Sequence, residues 1–132
     1  MAKWVLPGEP YQVNAAKLKD DYTSGIVKLS SLFLAVEEVA NAFLKAVNLR
    51  RISIADAKEA LEALADLGLD LHHQSWSQVA QVLGVARDLG LTVYDTSYVY
   101  LAEEMKATLI TADDTLFERA GKRHSVLHIR DY

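Results

Sequence analysis

Residues 91 to 114, LTVYDTSYVYLAEEMKATLITADD, decide how this chain folds. An apolar lead-in and Asp95 open a segment with helical character. After it, Thr108 to Thr111 form a short apolar strand that stops on Asp113 and Asp114. Carboxylates thus stand at the start of a helix and just past the end of the next strand. Thr92-Val93-Tyr94-Asp95 fits a capping box, with Thr92 as N-cap and Asp95 at N3, worth about 1 kcal/mol. Thr111-Ala112-Asp113-Asp114 fits the same pattern. Capping alone accounts for each aspartate taken singly, and ligation is the second reading.

Outward from this stretch, helix and strand alternate. A short helix precedes Pro7, and a second runs from about Tyr11 to Tyr22. IVKLS, Ile26 to Ser30, reads as a strand. A long helix follows with Val36, Val39, Ala40, Phe43 and Val47 as its apolar stripe. Ser53 caps the next helix, which runs to Leu67 before Gly68. LDLHH reads as a weak strand, and Trp76 to Leu89 as a helix ended by Gly90. TLFERAGK is a short helix and SVLHI a last strand. Strands separated by helices imply parallel neighbours and a three-layer α/β domain, whose ligand sites lie beyond the carboxyl ends of its strands.

At 132 residues the chain is expected to be one domain, 1–132, burying about two thirds of its unfolded surface. No apolar run approaches the roughly 18 residues of a membrane span, and MAKWVLPGEP has no signal-peptide core. Without cysteine there is no disulfide framework or thiol nucleophile, so the expected compartment is the cytoplasm. The net charge of −4 removes the general basic coat of a non-specific nucleic-acid binder. Lys45, Arg50 and Arg51, like Arg119, Lys122 and Arg123, read as solvated helix ends.

The long helix carries a polar row beside its stripe, Leu34, Glu38, Asn41 and Lys45, at spacings of three and four. Glu38 lies one turn in, near the sheet edge where Asp95 and Asp113 are expected. Three converging carboxylates repel unless a cation neutralises them, and an oxygen-only ligand set suits Mg²⁺ or Mn²⁺. Asp114 is the reserve ligand, because the Asp113-Asp114 pair leaves the register open by one residue. The histidines His72, His73, His124 and His128 read as surface or edge residues. On a strand His124 and His128 would lie about 13 Å apart, too far to share an ion. Tyr94, Tyr98 and Tyr100 offer stacking faces, but Tyr98 continues through Leu101, Ala102 and Met105 as a core stripe. There is no glycine-rich phosphate loop, nor the acidic pair and lysine of a receiver domain.

EVANAFLKA (Glu38 to Ala46), GLTVYDTSYVYLAEE (Gly90 to Glu104) and LITADD (Leu109 to Asp114) resemble, in order and spacing, the motifs of PIN-domain ribonucleases. The VapC-type toxins of prokaryotic toxin–antitoxin pairs are the most similar, and the resemblance extends to KWVLPGEPY (Lys3 to Tyr11). It implies a three-layer α/β/α PIN-like domain with a parallel central sheet. It also implies Mg²⁺- or Mn²⁺-dependent cleavage of RNA, with Glu38, Asp95 and Asp113 matching three acidic ligands of the family. Thr111 matches the hydroxyl residue that orients a water or a carboxylate there. A VapB-like antitoxin and a homodimer are the implied partners. The family pattern opens with a strand ending in an aspartate, and this sequence begins where the following helix is under way. The expectation is therefore a PIN-like domain lacking the usual first strand, through an upstream start or a degenerate member. A catalytically impaired PIN fold that only binds partners or RNA is the alternative function.

Overall fold

The computed structural model describes residues 1–132, which form two compact units, Met1–His72 and His73–Tyr132. No helix is long and apolar enough to cross a membrane.

The first unit opens with a 3-10 turn, Ala2–Trp4, followed by α1 (Gln12–Thr23), β1 (Ser30–Leu32), α2 (Leu34–Asn48), α3 (Ile54–Asp66) and β2 (Asp70–His72). β1 and β2 pair in parallel, with Ser31 opposite Leu71, and α2 and α3 form the crossover between them. Helix α2 buries Ala35, Val39, Phe43 and Ala46, a stripe at steps of four, four and three. Phe43, Val39 and Ala46 pack with Leu6 and Ala57 into one cluster. The expected stripe was out of phase at its start, since Ala35 faces the core and Val36 is exposed. Ser53 caps α3 with a complete capping box, its hydroxyl accepting the Asp56 N–H at 3.0 Å and Asp56 accepting the Ser53 N–H at 3.2 Å.

The strand expected at Ile26 to Ser30 begins only at Ser30. The cause is the end of α1. Gly25 adopts φ +74°, the Ile26 N–H reaches back to Asp21 O, and the Gly25 N–H to Tyr22 O. These two bonds are a Schellman closure with glycine at the left-handed position. Ile26 is thereby used to end a helix rather than to start a ladder.

The second unit holds α4 (Trp76–Leu89), α5 (Val93–Glu104), β3 (Leu109–Thr111), α6 (Asp114–Ala120), β4 (Val126–His128) and a 3-10 turn, Ile129–Asp131. Ser75 and Gln78 form the capping box of α4. Gly90 ends that helix at φ 65°, where an added Cβ would stand 3.0 Å from Arg119 Nη1. Two residues later Thr92 caps α5, so one tight corner joins the helices. β3 and β4 pair in parallel, Ile110 opposite Leu127 and Thr111 opposite His128. Val99 of α5 and Leu116 and Ala120 of α6 close over Leu109 and Val126 of the strands.

Candidate active site

Parallel pairing puts the carboxyl ends of β3 and β4 at one edge, with Thr111 and His128 side by side. Thr111 Oγ1 accepts the Asp113 N–H at 3.0 Å. Asp113 caps α6, its Oδ1 accepting the Leu116 N–H at 2.9 Å. The cap is thus Asp113, not Thr111 as the spacing suggested. The hydroxyl of Thr111 instead fixes the turn that presents Asp113, an exposed residue.

Asp95 reaches the same edge by topology. The last turn of α5 lies at the amino ends of the strands, where Glu103 Oε1 meets His124 Nδ1 at 2.5 Å, two residues before β4. Helix α5 therefore runs antiparallel to β3. From Glu104 back to Asp95 it rises about 14 Å, against about 7 Å from Leu109 to Thr111, which carries Asp95 to the carboxyl side of the strand. There the Thr92 hydroxyl receives the Asp95 N–H at 3.1 Å and donates to Asp95 Oδ2 at 2.7 Å. That second bond replaces the backbone arm of a capping box and engages Asp95 through Oδ2. Asp95 is half-buried.

Asp114 is engaged differently. Its Oδ1 stands 3.2 Å from Arg130 Nη1 and 3.3 Å from His128 Nε2. His128 is wholly buried, its Nδ1 accepts the Arg130 N–H at 3.1 Å, and its Nε2 lies near Asp114 without hydrogen-bond geometry. Phe117 meets the imidazole edge-on, its centroid 5.6 Å away, and Arg130 Cζ lies 5.5 Å from the same ring. The reading of His128 as a surface or edge residue is corrected by this burial. Its signal in the sequence is a histidine inside the apolar run SVLHI, whereas Arg130, in HIRDY, belongs to no motif that marks it.

Glu38 lies exposed on α2, in the first unit. Within neither unit do three Asp, Glu or His side chains gather closely enough to hold a metal ion. The second unit nonetheless offers an oxygen-only pair, Asp95 and Asp113, each anchored through one carboxylate oxygen. One or two carboxylates, with water and substrate phosphates completing the shell, are the usual protein share of a Mg²⁺ site, so these residues fit Mg²⁺ or Mn²⁺. A cavity of about 260 Å³ opens at the opposite, amino edge, beside Glu103, Lys106, Thr108, His124 and Ser125, and includes none of these acids. Among the tyrosines, Tyr100 donates to Gln81 Oε1 at 3.0 Å and Tyr98 is half-buried, while Tyr94, beside Asp95, is 64% exposed.

No family model matches the chain. Exonuclease VapC9 of Pyrobaculum aerophilum is 35% identical over 99 residues, covering 70% of this chain and 67% of that protein. Ribonuclease VapC3 of the same organism is 34% identical over 93 residues, covering 70% and 71%. The chain belongs to the VapC-type PIN-domain family. The crystal structure of PAE2754 from Pyrobaculum aerophilum matches this VapC-type chain with a TM-score of 0.73 at 28% identity, covering 92% of this chain and 85% of that one. The parallel strands of this chain, interleaved with helices, are those of the three-layer α/β/α PIN-like fold.

Proposed function

We propose that this VapC-type chain is a metal-dependent endoribonuclease, the toxin of a VapBC-type pair, which hydrolyses RNA phosphodiester bonds. The observation that carries the reading is the pair Asp95 and Asp113, each anchored through one carboxylate oxygen, Asp95 on Thr92 and Asp113 on the Leu116 N–H beyond the carboxyl end of β3. Asp95 and Asp113 are the principal ligands for Mg²⁺ or Mn²⁺, and Glu38 is the third acid, acting directly or through water. Thr111 acts by holding the turn of Asp113. When bound, the divalent ion supplies Lewis acidity at the scissile phosphate and lowers the pKa of the attacking water. In hydrolysis the water oxygen bonds to phosphorus, the phosphorus–oxygen bond to the leaving ribose oxygen breaks, and that oxygen takes up a proton. A cytoplasmic setting, a VapB-like antitoxin that blocks the acidic edge and a homodimer complete the proposal.

The test is cleavage of a fluorescent RNA with Mg²⁺ or Mn²⁺. Asp95→Asn and Asp113→Asn are expected to lose about 100-fold or more in rate, roughly the 3 kcal/mol of one strong transition-state contact. Wild-type protein inert with both metals would overturn the proposal. The competing reading, a PIN fold that only binds partners or RNA, draws on the lack of a three-acid cluster within either unit. It predicts RNA binding without turnover.

A further inference from the structure

The geometry points to Arg130 as a residue that grips the RNA phosphate backbone beside the acidic edge, aimed there by Asp114. The inference rests on the ribonuclease reading for its ligand. A site built from Asp95 and Asp113 presents negative charge to a polyanion, in a chain whose own net charge is −4. A divalent ion offsets charge at the scissile phosphate, but the neighbouring phosphates need a cation of their own. Arg130 stands where one is needed. It follows β4 at the same carboxyl edge, and its Nη1 is 3.2 Å from the carboxylate of Asp114, the residue next to Asp113.

The guanidinium is held in orientation rather than left to swing. Phe117 flanks it at 5.5 Å, Asp131 Oδ2 lies 3.7 Å from Nε, and the backbone N–H of Arg130 is fixed on buried His128. His128 also backs the Asp114 oxygen that receives Arg130. Even so, 43% of the Arg130 side chain faces solvent. An oriented guanidinium that is still partly in solvent suits a charge-assisted contact with a phosphate oxygen. Asp114 is on this view a positioning residue and not a metal ligand.

A short single-stranded RNA oligonucleotide, titrated in EDTA at several salt concentrations, separates binding from cleavage. Arg130→Gln is expected to weaken binding about three- to tenfold at low salt. It should flatten the slope of log K against log salt by about 0.7, the value for one phosphate contact on a single strand. Arg130→Lys keeps a cation on Asp114 and should hold the slope, with affinity between the two. Arg87→Gln removes the same charge from an exposed position on α4 and should change neither quantity. An unchanged slope in Arg130→Gln, an equal loss in Arg87→Gln, the full loss in Arg130→Lys, or no binding by the wild type would each overturn the proposal. The ribonuclease reading fails by a different result, RNA bound in EDTA but uncut with either metal, and that leaves the Arg130 contact standing.

Discussion

Asp113 performs one task that can be measured without any metal, and this separates its two readings. As the cap of α6 it satisfies the Leu116 N–H, and asparagine satisfies that donor equally well. Asp113→Ala should therefore lose about 1 kcal/mol of stability in urea melts, while Asp113→Asn stays within about 0.5 kcal/mol. If Asp113→Asn also keeps wild-type cleavage, the carboxylate is a cap and nothing more. His128 gives a second residue-level expectation. Replacing it by leucine leaves the Arg130 N–H without its acceptor in a partly buried setting, a loss of about 1 to 3 kcal/mol by the same melts. Stability equal to the wild type would show that water replaces the ring nitrogen. The sequence made the capping and the acidic candidates visible, because both depend on residue type at fixed spacing. It did not show that Asp114 is tied up by Arg130 beside His128, since that contact joins residues 14 and 16 positions apart that only the pairing of β3 with β4 brings together.

Among the elements, the corner between α4 and α5 matters most for the candidate site, because it sets where Asp95 begins. Gly90 holds the left-handed conformation and gives its carbonyl to Arg119 Nη1. Gly90→Ala should destabilise by about 1 kcal/mol or more, from the positive φ and from crowding against Arg119. A neutral result in thermal melts would mean that the corner relaxes freely. The capping box of α3 carries a pH signature. The Ser53 side chain, then its backbone N–H, holds the Asp56 carboxyl below its ordinary value. A depressed carboxyl contributes stability above the unfolded pKa, and the contribution disappears as pH falls through the folded one. The gap between wild type and Asp56→Ala should therefore narrow between about pH 5 and pH 2, and a gap constant over that range would contradict it. Helices with clear caps, α3 and α4 above all, were legible to within a residue or so, because cap chemistry is local. The first strand was displaced because Ile26 satisfies a β pattern in composition while Gly25, one residue earlier, commits it to the closing turn of α1.

For the whole molecule, parallel pairing was legible from the alternation of helix and strand, whereas the homodimer is an expectation drawn from the family resemblance. In the structure Trp76 and Leu83, two turns apart on α4, are 94% and 57% exposed, and Val13 on α1 is 84% exposed. Exposed residues of this size favour association, and light scattering at micromolar concentration should return the mass of a dimer. A strict monomer would count against it. Metal binding should also appear as stability, independently of catalysis. An ion that binds the folded chain and not the unfolded one stabilises by about 2.7 kcal/mol when its concentration is 100 times Kd. For a chain of this size that is roughly a 10 °C rise in Tm. A site that takes two protein carboxylates binds with modest affinity, so the rise should need millimolar Mg²⁺ and less Mn²⁺. Asp95→Asn and Asp113→Asn should each remove most of it while leaving the metal-free Tm nearly unchanged, and Glu38→Gln should remove part. If the rise persists in both aspartate variants, the ion binds elsewhere and the carboxyl edge of β3 is not its site.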